Sequence, residues 1–103
     1  MESFDVLNYT RYMVSHLICE RISTFDYSNE ILYQINEVLF ALLSNNLSLD
    51  SQSILRDIPG EIENANVYYN KSKIFHIIML NIKLLPPSDI NQLKENISTL
   101  WPH

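Results

Sequence analysis

The sequence predicts an all-α fold, a compact bundle of four or five helices in a single domain over residues 1–103. Three observations predict it. Apolar residues make up 47% of the chain, which is enough to build a core. They recur in several segments at the spacing of a helix with one apolar face. Gly60 is the only glycine, whereas sheets joined by tight hairpins usually need several.

The first predicted helix runs from about Asp5 to Ile22, with Asp5 or Ser3 as its N-cap. Residues 23–27 are predicted to form a loop after it. Its apolar residues fall on one side at about 100° per residue, as an amphipathic helix requires. They are Val6, Leu7, Met13, Val14, Leu17 and Ile18.

The second predicted helix begins after Ser28, its N-cap, and continues to about Ser44, where Asn45-Asn46 stops it. It has the clearest helical periodicity in the chain, so we expect its wide aliphatic stripe to face the core. The stripe consists of Ile31, Leu32, Ile35, Val38, Leu39, Leu42 and Leu43.

A short third helix is predicted from an N-cap at Asp50 to the residue before Pro59-Gly60. Proline forces the preceding residue towards extended geometry, and glycine permits a turn. The following residues, 61–69, fit either a helical face or a strand.

Residues 72–85 are apolar on nearly all sides. They predict either a helix at the centre of the bundle or a buried pair of strands, because periodicity alone does not separate the two. The alternative fold is therefore α+β, with a small hairpin within residues 66–85. His76 lies in this run and is predicted to be a hydrogen-bonded core residue.

Pro86-Pro87 ends that element, and Ser88 is the predicted N-cap of a last helix. We expect Trp101 to cover the end of the core. One face of this helix is predicted to carry Ile90, Leu93, Ile97 and Leu100.

The formal charge of −5 is unevenly distributed. Residues 1–65 contain ten acidic and three basic side chains, whereas residues 66–103 contain two acidic and four basic ones. A negative domain is repelled by phosphate backbones, so the charge predicts no direct nucleic-acid binding. It favours a basic protein partner.

No motif predicts catalysis, a metal or a cofactor. His16 and Glu20 are four residues apart and could supply two ligands, but a zinc site needs more. Cys19 lies beside Glu20, whose charge raises rather than lowers a thiol pKa. One glycine is too few for the common phosphate-binding loops. We therefore expect a protein that is not an enzyme.

The longest apolar run, residues 38–43, is too short to span a bilayer, so no membrane association is expected. Cys19 is the only cysteine, and the chain therefore has no internal disulfide. A reducing compartment, the cytoplasm, is the predicted location.

Two surfaces that mix aromatic residues with carboxylates are candidates for binding a protein. Tyrosine gives a large, stiff contact area with a polar tip and is enriched at interface centres. The alternative is that the first two helices are buried on both faces and their aromatics form a second core. The first surface lies opposite the aliphatic stripes and consists of Tyr9, Tyr12, His16, Glu20, Tyr33, Glu37 and Phe40. The second consists of Asp50, Asp57, Glu61, Glu63, Tyr68 and Tyr69.

The segments Glu61-Ile62-Glu63 and Val67-Tyr68-Tyr69 place a tyrosine pair after acidic residues. In this the chain resembles small acidic helical immunity proteins, which neutralise the nuclease toxins of colicin and contact-dependent-inhibition systems. The resemblance implies that Tyr68 and Tyr69 anchor a bound toxin beside the carboxylates.

Two functions follow as hypotheses. The first is a non-enzymatic inhibitor, an immunity protein that neutralises a cognate basic nuclease toxin by direct binding. A phage-encoded inhibitor of a host nucleic-acid enzyme would share these features. The alternative is a self-associating structural or adaptor domain, and the chain could be a monomer or a homodimer.

Overall fold

Five helices account for most of the chain in the computed structural model, which describes residues 5–22, 30–67 and 69–102, except for the side chain of Leu32. The all-α prediction is confirmed. No described residue lies in a strand, so the hairpin alternative within residues 66–85 is wrong. The helices are α1 (Val6–Ile22), α2 (Glu30–Leu43), α3 (Leu49–Ala65), α4 (Lys71–Ile82) and α5 (Pro87–Leu100).

The helices form a closed ring in which each packs mainly against two others. The principal contacts join α1 to α4 and α5, α2 to α3 and α5, and α3 to α4. Large fully buried side chains come from all five helices and the turn before α5, and they fill one core inside the ring. They include Ile18, Ile22, Phe40, Leu43, Leu55, Ile58, Ile62, Ile74, Ile78, Ile82, Leu85, Ile90 and Leu93.

Helix α1 begins where the sequence predicts. The Asp5 carboxylate accepts a hydrogen bond from the backbone N–H of Asn8 at 3.1 Å, which is the geometry of an N-cap. The buried face is rotated slightly from the predicted stripe, so that Val6 is exposed and Cys19 is buried. The predicted caps Ser3 and Ser28 and the predicted loop at 23–27 lie outside the described residues.

Helix α3 is longer than predicted. Its N-cap is Ser48 rather than Asp50, since the Ser48 side chain accepts from the N–H of Ser51. The helix does not stop before Pro59 but continues through it to Ala65. The proline loses one backbone hydrogen bond, and burial of Pro59 with its neighbour Ile58 offsets that cost.

Helix α4 is not the all-round apolar centre that the sequence suggests. It begins at the side-chain cap Asn70, and only one row, at every fourth residue, is fully buried. Leu80 is half exposed. His76 is exposed, so its predicted place in the core is wrong. The buried residues of α4 are Ile74, Ile78 and Ile82.

Helix α5 starts two residues earlier than expected. Pro86 occupies the N-cap position and Pro87 the first helical position, where a fixed φ and a missing N–H cost nothing. Ser88 is therefore inside the helix and is not its cap. Trp101 packs against the core as predicted, with the Arg21 guanidinium 5.4 Å from its ring centroid.

The carboxylate of Asp89, in the first turn of α5, holds the start of α3. It is 7% exposed and accepts hydrogen bonds from the Ser48 N–H at 3.1 Å, the Ser48 hydroxyl at 2.6 Å and the Ser51 hydroxyl at 2.6 Å. These hydroxyl hydrogen bonds lower the pKa of Asp89, against the opposing effect of burial.

Further along α5, Asn96 holds the end of α2. Its side-chain amide donates to the carbonyl of Leu43 at 2.8 Å and to that of Asn45 at 2.7 Å. These carbonyls have no partner within α2, because they belong to its last turn and the turn beyond. Helix α5 thus fixes both sides of the α2–α3 connection.

We predict that Asp89→Ala lowers the free energy of unfolding by about 3 kcal/mol at neutral pH, because it leaves the buried Ser51 hydroxyl and the two part-buried donors of Ser48 without their charged acceptor. Glu95→Ala, at an exposed acid of the same helix, should change it by less than about 0.5 kcal/mol. Because the folded-state pKa of Asp89 is lowered, its contribution is complete above the unfolded-state pKa of about 4 and is lost as pH falls through the folded value. Urea unfolding at several pH values measures both. A gap between wild type and Asp89→Ala that stays constant down to pH 2 would contradict this assignment.

We predict that Gly60→Ala stabilises the protein by about 0.5–1 kcal/mol, because alanine is the better helix former inside α3. An added Cβ would lie 3.8 Å from the Tyr33 hydroxyl, an ordinary van der Waals distance, and Gly60 has no positive φ. The expected rise in Tm is about 4 °C. Ser53→Gly, at an exposed position of the same helix, is the matched control and should lower Tm. A lower Tm for Gly60→Ala would show that Tyr33 needs the space.

Candidate functional site

Tyr12 and His16, two of the residues predicted on α1, lie beside α4. The Tyr12 and His16 rings are stacked, 6.3 Å apart and 3° from parallel, and both meet the edge of Phe75 on α4. Tyr12 and Tyr9 are about half exposed, so this part of the prediction matches a surface. The sequence did not single out Phe75, because the run containing it was expected to be central.

Glu20 closes one end of this aromatic group. Its carboxylate lies 3.7 Å from the His16 imidazole and pairs with the ammonium group of Lys71. The hydrogen bond from Lys71 lowers the pKa of Glu20. The pair fastens α1 to the start of α4, and the Lys71 charge offsets that of Glu20, so this surface is close to neutral.

Helix α2 is turned about its axis relative to the prediction. Phe40 is fully buried, so its predicted place on an outer binding surface is wrong. Asn36 and Leu43 are buried with it. Burying the large Phe40 ring contributes more to the free energy of folding than burying one aliphatic side chain does. With Phe40 in the core, most of the predicted aliphatic stripe faces outwards.

The outward row on α2 consists of four large aliphatic residues, which we call the α2 seam. Successive members are four, three and four residues apart, the spacing of the apolar seam by which a helix binds a second helix. The exposed fractions are 66% for Ile31, 43% for Ile35, 60% for Val38 and 52% for Leu42.

Tyr33 lies on the opposite side of α2, against α3. Its hydroxyl lies near Gly60, towards the end of α3, which shows that α2 and α3 run antiparallel. Partial burial raises the pKa of Tyr33, and the nearby carboxylates Glu37 and Glu63 add to that rise. One tyrosine and two acids from the two predicted surfaces therefore meet between α2 and α3.

The remaining predicted carboxylates are exposed on α3. Asp50, Asp57 and Glu61 follow one another on a single side of the helix, at the seven- and four-residue spacings of one face. The Asn81 amide donates to Glu61 at 2.6 Å, so this side adjoins α4. Glu63 lies on the other flank, next to α2.

The two helices together, residues 30–65, form what we call the acidic hairpin. It carries the full formal charge of the chain, −5, and the other residues balance to zero. Helix α2 contains no lysine or arginine, and α3 contains only Arg56. The acidic residues of the hairpin are Glu30, Glu37, Asp50, Asp57, Glu61 and Glu63.

Tyr69 lies in the loop between α3 and α4 and is 71% exposed. Its φ is 69°, in the left-handed region that costs a tyrosine of order 1 kcal/mol. Asn66, which ends α3, and Asn70, which caps α4, hold the loop on both sides. An exposed aromatic in a strained conformation is a candidate contact residue. Tyr68 lies outside the described residues.

An open cavity of about 620 Å³ lies between α2 and α5, at the end of the α2 seam. Leu42 belongs to both, so the seam continues into this groove. Apart from Leu42 and Leu100, its lining is polar: Asn45, Asn46, Gln92, Glu95, Asn96 and Thr99. The two predicted surfaces are thus rearranged. Tyr12, His16 and Glu20 face α4. Tyr9 lines a cavity with Lys94 of α5, while the α2 and α3 residues share the hairpin.

Among the described residues, no group of three metal-ligating side chains comes together. Within the same ranges, no helix is both long and apolar enough to cross a membrane. No family model, no curated protein and no solved structure is similar to the chain.

We predict that Phe40→Ala lowers the free energy of unfolding by about 4 kcal/mol, because it leaves a cavity in the core. Tyr9→Ala, at a half-exposed aromatic, should cost less than about 1 kcal/mol. Chemical denaturation of the two variants makes the comparison. Similar losses for both would show that the α1 aromatics are a second core and not a surface.

Proposed function

We propose that this protein acts without catalysis of its own, by binding a basic protein partner through the acidic hairpin. One observation carries the proposal: the whole net charge and the exposed α2 seam occur on the same two helices. Apolar side chains at the centre of an interface supply affinity, and surrounding charges steer the partner and select it.

The partner class that we propose is a nuclease toxin, with this chain as its immunity protein. Nucleases that bind a phosphate backbone carry basic surfaces, which the carboxylates of the hairpin would match. The resemblance in Glu61-Ile62-Glu63 and Val67-Tyr68-Tyr69 supports this class. So does the exposure of Tyr69 beyond the end of α3. Cys19 is the only cysteine in the sequence and is buried in the core, which is in keeping with a cytoplasmic site of action.

The test begins with the native host. The chain is used to retain its partner, and the retained protein is purified and assayed for nuclease activity with and without an equimolar amount of the chain. We expect a basic protein whose nuclease activity the chain suppresses. A retained protein that is acidic, or whose activity is unaffected, would contradict the proposal.

We predict that Glu37→Lys and Glu63→Lys each lower the association rate with that partner by about tenfold at low salt, because charge steering accounts for gains of that order. Raising the salt concentration should reduce the difference between wild type and variant. The control is Asn91→Lys with Ser98→Lys on α5, which changes the net charge equally outside the hairpin. An equal effect in the control would mean that overall charge, and not the hairpin, attracts the partner. Surface plasmon resonance gives the rates.

Self-association is a second candidate function, favoured by the spacing of the α2 seam. An antiparallel copy would place Ile31 opposite Leu42 and Ile35 opposite Val38, as a two-fold axis requires. Light scattering at micromolar concentration decides. A dimer would replace the proposal of a basic partner, whereas a monomer would exclude self-association.

A further inference from the structure

We propose that the α2 seam receives an amphipathic helix of the partner, with lysine or arginine along one edge. This deepens the proposed function and rests on it only for the sign of the partner's charge. A helix in a groove is a common mode of recognition, and it is read as apolar anchors three and four residues apart. The four seam residues have that spacing.

The shape of the seam favours one helix as its occupant. It extends about 16 Å along α2, the length of three turns. Its narrow row matches the seam of a two-helix contact rather than the broader stripe by which a helix packs into a bundle. Ala41 and Gln34 lie along one edge, and the small Ala41 allows close approach.

The charges around the seam determine which edge of the partner helix carries its basic residues. Glu30 and Glu37, seven residues apart, lie beyond Gln34 and Ala41 on the same side of α2. The opposite edge is formed by Leu39, which is half buried and uncharged. A partner helix with basic residues seven apart along one edge would meet both carboxylates.

A second copy of the chain fits less well. It would bring two acidic hairpins together without a single lysine or arginine on either α2. The seam exposes roughly 400 Å² of apolar surface, about half of what one partner contributes to a standard interface. A separate helix has room to continue past Leu42 into the α2–α5 groove, where Glu95 offers a further carboxylate.

Synthetic peptides of about 18 residues test this with the intact protein. One carries leucine or isoleucine at four–three–four spacing and lysine along one edge. In the second, glutamate replaces every lysine, and the third is a scrambled version of the first. Fluorescence anisotropy measures affinity, and NMR chemical shifts locate the contact. We expect binding of the lysine-edged peptide alone, with a Kd of order 10 μM and shifts along α2.

Val38→Asp should weaken that binding at least tenfold, because it places a charge in the middle of the seam. The matched control is Leu84→Asp, since Leu84 is as exposed as Val38 but lies in the turn after α4 and outside the seam. Glu37→Lys should weaken the lysine-edged peptide about threefold and favour the glutamate-edged one. Val38→Asp and Glu37→Lys should both keep the wild-type Tm, because the side chains that they replace are exposed.

Three outcomes would overturn the inference. The first is a glutamate-edged peptide that binds as well as the lysine-edged one, and the second is a Val38→Asp variant that binds the peptide like wild type. In the third, light scattering reveals a dimer that Val38→Asp converts to a monomer, and the seam belongs to a second copy. A native partner retained by Val38→Asp but lost by Glu37→Lys would leave the proposed function standing without this helix. If the lysine-edged peptide binds but the host contains no basic partner, the helix-binding seam stands and the proposed function falls.

Discussion

The position of the acidic hairpin depends on two polar side chains of α5. Asp89 accepts three hydrogen bonds at the start of α3, and Asn96 donates two at the end of α2. Both sites lie where backbone groups lose their helical partners, and the bonds satisfy such groups together with the hydroxyls of Ser48 and Ser51. Together they set where α2 leaves the core and where α3 enters it. Because α2 is held at its end, only one side of it faces the core, and the opposite side is left to solvent.

The sequence predicts the number and kind of elements well, because helical periodicity and turn residues are local properties. Asp5, Asn45-Asn46 and the face of Ile90, Leu93 and Ile97 were all placed correctly. The errors at Ser48 and Pro59 have another origin. The carboxylate of Asp89, 41 residues away, holds Ser48 in the cap position. Pro59 stays helical because tertiary burial outweighs its local preference. Neither contact can be read from neighbouring residues.

The candidate site was predicted only in part for the same reason. Helix α2 has apolar residues on most of its circumference, and a periodic pattern does not say which side meets the core. Four residues of the predicted stripe lie on the outside of α2, whereas Phe40 lies in the core. The exposed surface of α2 is therefore aliphatic rather than aromatic. The carboxylates were predicted more successfully, because charged side chains stay exposed whichever way a helix turns. Their concentration on one antiparallel pair follows from the short connection between α2 and α3.

An exposed row of aliphatic side chains is a surface at which two copies of a chain can meet. The same two helices also carry the negative charge, which opposes such contact. Two hairpins carry charge of the same sign, and the repulsion between them opposes contact between two seams. A basic surface reverses that effect, because it neutralises the carboxylates at the moment it approaches the seam. Under the proposed function, the charge that opposes self-association would also attract the partner, and the apolar row would contribute its binding energy only when that partner binds.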